Sequence, residues 1–454
     1  MNCLLAIAVS LGTMASGAAV PADANVIDTD LVWDPVSAET ATISPDGKQI
    51  AYVSRGAIWV SGVAAGPPTR IADLKGTITD YLAQPEYEEV WKRFADITPH
   101  RGIRPIPEVR NDLTAFFGLQ WAANQDGVVY TLQERLEDRS ALSAYSVIHT
   151  SLQGESTTCA TIRGKWVTTY DSNTSFVMSR RRDFVVVTNF GHAQICDAKS
   201  GLPIATYFDY LIPSPTSGRW LGIEIDTRQL VLIGDGWKVL KRFDVVIENG
   251  RRCDLTWSAD EKFAICRSFR GSNERLSDYC SVFRFDLETG NRREMARGVD
   301  KDRFVFTGNG SEVVRIGVTG TPPNGYGDGT YGSYLELTPD GDGSSKVIHR
   351  FVEPGPRSSE WHRQFYPAIL HNDDCTLFAM ALPRRKPQKP GFHFQLMDRA
   401  GRTWPFALED EAKFISPYMP IGFADGGQLI LARDGSRFFS VPIDKVAVRN
   451  EKQQ

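Results

Sequence analysis

An all-β fold built from repeated four-stranded units is predicted by three features of the sequence. Between Ile43 and Val53, apolar and polar residues alternate on both sides of a Ser-Pro-Asp-Gly turn, a pattern typical of two strands joined by a tight connection. A second hairpin turn follows at Arg55-Gly56. The same order of strands and turns returns at a period of about 40 residues. These features predict a β-propeller of four-stranded blades.

Repeats of this unit can be followed along the whole chain, each with an apolar first strand, a turn containing Asp or Gly, and a strongly apolar second strand. Their approximate ranges are 40–74, 119–148, 176–201, 220–233, 255–290, 304–337, 365–408 and 421–441. We therefore predict eight blades, with seven as the alternative if the fourth or the eighth unit is miscounted. The eighth unit lacks an outer strand. Residues 25–33 could supply it, which would close the ring and leave no exposed sheet edge.

The longest interruption of the repeat runs from Lys75 to Ala115, between the first and second units. It is too long for an ordinary connection. Its middle, residues 81–94, has the pattern of a short amphipathic helix with Pro85 in the first turn. Long insertions on rigid scaffolds often carry function. We expect this insertion either to contact a partner or ligand, or to form a lid over the propeller face.

Residues 1–24 are predicted to be a signal peptide. The segment is apolar from Leu4 to Leu11, then turns to small residues and reaches Ala22-Asp23-Ala24, which resembles a cleavage site. It contains no Lys or Arg, so the usual basic start is missing. No later run approaches the roughly 18 apolar residues that a membrane span needs. We expect a periplasmic or secreted protein with one propeller over residues 25–444, a tail over 445–454, and no membrane span.

Six cysteines follow the predicted cleavage site, an even number that suits an oxidising compartment. They are Cys159, Cys196, Cys253, Cys266, Cys280 and Cys375. Cys266 is placed to meet either Cys253 or Cys280 across neighbouring strands, and only one of these pairs can form. Burial as unpaired thiols is the alternative interpretation. The sequence contains no C-x-x-C motif, so neither a zinc site of that type nor thioredoxin-like chemistry is predicted.

The charge distribution argues against a nucleic-acid partner. The formal net charge is -4, and the Lys and Arg residues are scattered along the chain instead of forming a stripe. Affinity for nucleic acid depends on clustered positive charge that neutralises phosphates. We therefore expect no nucleic-acid binding.

No catalytic residue emerges from motifs. A serine hydrolase of the α/β class needs a G-x-S-x-G elbow, which this chain lacks. The best metal candidates are His362, His371, His393 and Gln395, because imidazole nitrogens with an amide oxygen suit a divalent transition ion. Their spacing matches no fixed ligand pattern, and ordinary polar strand and loop residues are the alternative interpretation. No other cofactor is expected.

The stretch Ser44–Val53 resembles the WD40-like Asp-containing repeat of TolB-type propellers and of the N-terminal propellers of prolyl-oligopeptidase-like (S9) peptidases. Weaker matches occur at 257–264 and 285–290. In the S9 family, the propeller gates a serine-hydrolase domain. This chain departs from that pattern because it has no such domain, so the resemblance assigns no catalytic residue. The chain also resembles oligogalacturonate-lyase-like propellers in having His and Gln residues in its late units.

These observations predict a non-catalytic exported propeller that binds a protein or peptide partner through its central face. Two enzymatic alternatives stay open. One is the propeller half of a split S9-type peptidase, and the other is a metal-dependent oligosaccharide lyase.

Overall fold

Strands dominate the described part of the chain. The structure is a computed structural model. It describes residues 20–21, 25–28, 41–64, 66–86, 89, 114–122, 124–135, 143–164, 174–179, 182–189, 192–204, 208–214, 217–246, 253–258, 260–270, 279–299, 303–306, 313–319, 332–338, 346–352, 368–372, 376–383, 392–407, 419–424, 428–433 and 437–443. Within these residues, no helix is long and apolar enough to cross a membrane.

Two short strands, β1 (Val20–Pro21) and β2 (Asn25–Asp28), precede the repeats. The following strands form antiparallel four-stranded sheets in sequence order. Sheet 1 contains β3 (Ala41–Ile43), β4 (Gln49–Ser54), β5 (Ala57–Gly62) and β6 (Thr69–Asp73). Sheet 2 contains β7 (Ala115–Trp121), β8 (Gly127–Arg135), β9 (Ser143–Ser151) and β10 (Ser156–Gly164). Sheet 3 contains β11 (Thr174–Met178), β12 (Phe184–Asn189), β13 (His192–Asp197) and β14 (Pro203–Ile204).

The same order continues to the C-terminal part of the chain. Sheet 4 contains β15 (Phe208–Pro213), β16 (Trp220–Glu224), β17 (Gln229–Ile233) and β18 (Val239–Val246), with a 3₁₀ turn at Asp235–Trp237. Sheet 5 contains β19 (Cys253–Trp257), β20 (Phe263–Arg270), β21 (Tyr279–Asp286) and β22 (Arg292–Val299). Sheet 6 contains β23 (Arg303–Phe306), β24 (Val313–Thr319), β25 (Gly332–Thr338) and β26 (Lys346–Val352).

The last two sheets each include one of the two N-terminal strands. Sheet 7 contains β27 (Ala368–His371), β28 (Leu377–Pro383), β29 (Phe392–Asp398) and β30 (Thr403–Ala407), and β1 pairs with β30 in parallel. Sheet 8 contains β31 (Met419–Ala424), β32 (Gln428–Arg433) and β33 (Arg437–Pro442), and β2 pairs with β33. The prediction that residues 25–33 supply the missing outer strand is therefore confirmed for residues 25–28.

The predicted number of blades is wrong. Taken as a propeller, the structure has six blades, and neither eight nor the alternative seven is correct. The strands nevertheless hydrogen-bond into the eight sheets given above. The difference has a physical reason. A period in the sequence counts four-strand units, whereas a blade is also defined by how its sheet packs around the common axis, which the period does not encode.

A serine at the end of the first strand builds the turn to the second strand. The Ser44 N–H donates to the carbonyl of Gln49 at 2.8 Å, and the Gln49 N–H donates back to Ser44 Oγ at 2.9 Å. Ser44 Oγ also donates to the Asp46 carboxylate at 2.6 Å. Gly47 follows with φ of 71°, a conformation that suits glycine. The predicted Ser-Pro-Asp-Gly turn is therefore confirmed.

The same turn recurs in other sheets. In sheet 5, Ser258 and Phe263 exchange the equivalent backbone and side-chain hydrogen bonds. In sheet 3, Ser179 and Phe184 do so. The hydroxyl satisfies a backbone N–H that the short turn would otherwise leave without an acceptor. The same serine-centred pattern of hydrogen bonds therefore stabilises the first hairpin turn of several repeats.

The first strands of neighbouring sheets contact one another, as β3 does with β7 and β15 does with β19. They line the inside of the fold, and two of these contacts include a tryptophan. Trp121 Nε1 donates to the Thr42 carbonyl at 3.0 Å, and Trp257 Nε1 donates to the Ile212 carbonyl at 3.4 Å. Each bond ties the first strand of one sheet to that of the preceding sheet.

Two faces of the fold are distinguished below. The leading face is the end at which the first strands begin, and it also carries the turns between second and third strands. The trailing face is the opposite end. It carries the turns between first and second strands and those between third and fourth strands.

The insertion after sheet 1 starts on the leading face. Helix α1 (Ile78–Leu82) begins after Thr77, whose side chain accepts from the Asp80 N–H at 3.1 Å. An ideal Cβ on Gly56 would lie 2.8 Å from Asp80 Cα, so α1 lies directly against the Arg55-Gly56 hairpin turn. The predicted helix over 81–94 is only partly correct. Its first two residues belong to α1, and Pro85, Glu86 and Glu89 are helical after a break, while 87–88 and 90–94 lie outside the described residues.

Candidate functional site

Three of the four predicted metal ligands, His371, His393 and Gln395, lie on strands of sheet 7. His371 is the last residue of β27 and pairs with Phe378, whereas His393 lies near the start of β29 and pairs with Leu382. Four residues of the intervening β28 separate the two rows, which corresponds to about 13 Å along the strand. Their backbones also lie two strands apart. The backbone positions of His371 and His393 are thus well separated, and a metal ion shared by them stays a prediction.

Gln395 and His362 are the other two predicted ligands. Gln395 pairs with Met380, between the two histidine rows, and is only 8% exposed. His371 Nδ1 lies 3.0 Å from the Asn372 carbonyl, a local contact. His362 lies outside the described residues. Among the residues that the structure does describe, no three His, Cys, Asp or Glu side chains group together as they would around a metal.

A different group of residues stands out on the leading face, at the start of the first strand of sheet 4. Tyr210 has φ of 53°, in the left-handed region that side chains with a Cβ rarely adopt. The pairing of β15 with β16 is irregular between Asp209 and Ile212, which identifies a β-bulge around Tyr210. Backbone strain of this kind costs about 1–3 kcal/mol and is concentrated at functional sites.

A nearly buried ion pair adjoins the bulge. Arg228 Nη1 lies 2.9 Å from Asp209 Oδ2, and the two side chains are 14% and 9% exposed. Arg228 ends the hairpin turn between β16 and β17 and also has positive φ, 54°. Burying both charges costs about as much free energy as their attraction returns. The pair is therefore better explained by its position on the leading face than by a contribution to stability.

The phenol of Tyr210 is held next to sheet 5. Tyr210 is half-buried and packs against the core cluster that contains Cys253 and Cys266. Burial raises the pKa of its hydroxyl, a backbone hydrogen bond from Cys253 partly offsets this, and the phenol is neutral at pH 7. It can therefore donate a hydrogen bond to a ligand while its ring offers an apolar surface.

An acid–arginine pair is repeated at the start of the next first strand. Asp254 lies opposite Arg267 in the register of β19 and β20, and their charged atoms are 3.5 Å apart. Asp254 is 43% exposed, so this pair is accessible from outside. The Arg267 guanidinium also lies 5.4 Å from the ring centroid of Phe304 at the start of sheet 6. Polar and aromatic groups thus lie near the starts of the first strands of three consecutive sheets, sheets 4, 5 and 6.

We define Asp209, Tyr210, Arg228, Asp254 and Arg267 as the leading-face site. None of them belongs to a motif that the sequence predicts to be functional. Asp209 and Arg228 are 19 positions apart, and only the hairpin between β16 and β17 brings them together. Likewise, the residue type at position 210 does not predict a β-bulge, because the bulge depends on the register of the two strands. A single sequence therefore contains no pattern that would predict these residues as a site.

Comparison with known proteins gives likeness in fold only. Oligogalacturonate lyase from Vibrio parahaemolyticus has a TM-score of 0.42 and 11% identity over 84% of this chain and 93% of the lyase. TolB from Acinetobacter baumannii has a TM-score of 0.29 and 13% identity over 81% of this chain and 79% of TolB. The propeller domain of the trilobed protease from Pyrococcus furiosus has a TM-score of 0.36 and 12% identity over 70% of this chain and 92% of that domain.

The repeated four-stranded sheets of the structure confirm the predicted resemblance to TolB-type and S9 propellers as one of fold. No protein-family model matches the sequence, and no curated protein matches it either. The site described above is therefore the basis for a functional proposal.

Proposed function

We propose that the protein is an exported β-propeller that binds a protein or peptide partner through its leading face, without catalysing a reaction. The observation that carries this proposal is the strained bulge at Tyr210, next to the nearly buried Asp209–Arg228 pair. Strain and buried charge both cost stability, and proteins retain such features where a ligand uses them.

The chemistry of the leading-face site suits a peptide. Asp254, which is 43% exposed, offers a carboxylate to the amide hydrogens of an extended chain, and Arg267 beside it offers a guanidinium to the carbonyls, next to the nearly buried Asp209–Arg228 pair. The Tyr210 ring adds an amphipathic surface of the kind that is enriched in protein interfaces. Helix α1 lies on the same face, against the hairpin turn of sheet 1 at Gly56.

Export is part of the proposal. Cleavage after Ala24 would leave Asn25 as the first residue of the mature chain, and β2, which pairs with β33, would be retained. The short parallel strand β1 would be removed with the signal peptide.

Site-specific photo-crosslinking tests the binding proposal. p-Benzoylphenylalanine is introduced at Tyr210 in the full chain, and the protein is irradiated in the cells that express it. Leu240, which is 53% exposed on β18, receives the same residue as a matched control away from the leading face. We expect protein adducts of discrete mass from position 210 and none from position 240.

Two further measurements make the result decisive. Circular dichroism and thermal unfolding must show that both labelled proteins keep the fold of the unlabelled chain. Arg228→Ala in the protein labelled at Tyr210 should reduce the adduct at least several-fold. Adducts from Leu240 alone, or from neither position, would contradict the proposal.

A further inference from the structure

Two buried cysteines lie next to the leading-face site on adjacent strands. Cys253 begins β19 and pairs with Ser268, while Cys266 lies on β20 and pairs with Leu255. The two positions are thus diagonal neighbours across one antiparallel pair. Both side chains belong to the same core cluster, and they are 1% and 0% exposed. Both are thiols in the structure.

The thiols contact each other. A hydrogen bond between the Cys253 and Cys266 side chains, together with burial, raises the pKa of Cys253 above its ordinary value. The other pairing suggested by the sequence has a different register. Cys280 pairs with Phe269, three positions beyond Cys266 along β20. The observed contact is therefore between Cys253 and Cys266.

We propose that Cys253 and Cys266 are a redox site that forms a reversible disulfide bond. The oxidant is a disulfide of a thiol oxidase or of oxidised glutathione. While β19 and β20 are still exposed to solvent during folding, one thiolate attacks a sulfur of that disulfide and releases the first reduced thiol, forming a mixed disulfide. The second cysteine then attacks the bonded cysteine sulfur and releases the second thiol. Two protons and two electrons pass from the cysteine pair to the oxidant.

The diagonal register explains why the bond is reversible. Diagonal neighbours in an antiparallel pair lie about 7–8 Å apart. An unstrained disulfide joins Cα atoms about 4.4–6.8 Å apart. Closing the bond therefore requires the strands to shift, and the resulting strain favours reduction. Because Cys253 also bonds the Tyr210 hydroxyl through its backbone, the shift is transmitted to the leading-face site.

Refolding in a glutathione redox buffer tests the pairing. The unfolded full chain is diluted into buffer with reduced and oxidised glutathione, free thiols are blocked with N-ethylmaleimide, and tryptic peptides are identified by mass spectrometry. We expect the peptide Cys253–Lys262 joined to Phe263–Arg267. Separate, blocked peptides would overturn the proposal, and so would a link from either cysteine to Cys280 or Cys375.

Controls and reversibility complete the experiment. Cys253→Ser should abolish the link and leave Cys266 blocked, while Cys159→Ser, on the outer strand of sheet 2, should leave the link intact. Mapping of the wild-type chain keeps the proposal testable if Cys253→Ser does not fold. Because both side chains are buried, reduced glutathione should open the link at urea concentrations that expose the two strands, with the same end point from oxidised and reduced starting material. A link that resists it contradicts reversibility.

Discussion

Arg182 Nη2 lies 3.1 Å from each carboxylate oxygen of Asp126 and joins the first turns of sheets 3 and 2 on the trailing face. The pair recurs between sheets 5 and 4 with the charges exchanged, where Glu261 contacts Arg219 at 3.4 Å. In both cases the later sheet contributes a residue with positive φ, 58° at Arg182 and 55° at Glu261. Sheets 2 and 3, and sheets 4 and 5, are thus each linked by an ion pair between their first turns, and the acid and the arginine exchange sides between the two pairs.

Burial predicts that the two links differ in strength. Glu261 is 8% exposed and also accepts from Ser214 Oγ at 2.6 Å, whereas Asp126 is 44% exposed. Glu261→Ala should lower the free energy of unfolding by about 2 kcal/mol, because a buried donor loses a charged acceptor. Asp126 also contacts the nearly buried His149 at 2.8 Å, so the exposed pair is removed from its other side: Arg182→Ala should cost less than about 1 kcal/mol.

Urea denaturation at pH 7 measures this difference. Glu261→Gln serves as the control, because it keeps an acceptor for Ser214 and removes only the charge, so its loss should be intermediate. Equal losses for Glu261→Ala and Arg182→Ala would show that burial does not set the strength of these links.

A second prediction separates steric overlap from backbone strain at two glycines. A Cβ on Gly201 would lie 1.9 Å from the Thr161 carbonyl oxygen, and φ is 66°. Gly218 has φ of 73° and open space around it. Gly201→Ala should destabilise the protein by about 3 kcal/mol or more, and Gly218→Ala by about 1 kcal/mol.

Thermal unfolding of the two alanine variants compares the effects directly. The difference between their melting temperatures reports the steric overlap between the turn of sheet 3 and the outer strand of sheet 2. Similar melting temperatures would mean that the two sheets separate without cost at this point.

A third prediction concerns acid stability. Arg242 donates to both Glu224 carboxylate oxygens at 2.9 and 2.6 Å, and Thr227 donates at 2.6 Å. Hydrogen bonds from Arg242, then from Thr227, lower the pKa of Glu224 to about 2. A depressed pKa in the folded state adds stability above the unfolded value near 4.5, and this stability is lost as the pH falls toward 2.

Glu224→Gln tests this linkage by urea denaturation at several pH values. Arg242 is 51% exposed, so the loss at pH 7 should reach only about 1 kcal/mol. The difference from the unmodified chain should shrink between pH 4.5 and pH 2. A difference that stays constant over that range would exclude the proposed ionisation.

A fourth prediction follows from the register of sheet 7. Because His371 and His393 lie in rows four residues apart on β28, His371→Ala should leave the metal content of the purified chain unchanged. Elemental analysis of the purified His371→Ala and His393→Ala variants measures their metal content. Metal that is stoichiometric in the unmodified chain and lost in both variants would instead favour the metal-dependent lyase interpretation.

The sequence predicts local hairpins well and long-range geometry poorly. The turn at Ser44–Gly47 follows from residues within the turn itself, and the missing outer strand of sheet 8 follows from the need to cover an edge. The leading-face site depends on a bulge at Tyr210, which arises only when β15 and β16 adopt their register. The choice between the cysteine pairs also requires register, which composition and spacing leave open.

The pairing of β2 with β33 sets the order in which the protein can be completed. Val26 pairs with Phe439, so the two partners emerge from the ribosome about 400 residues apart. A nascent chain cannot finish sheet 8 until nearly all of it has been synthesised, and until then the edge of β2 has no strand from the same sheet. Such non-local pairing slows folding and leaves strand edges open to aggregation. The free edge of β33 is therefore covered only when β2 folds back onto it from the other end of the described chain.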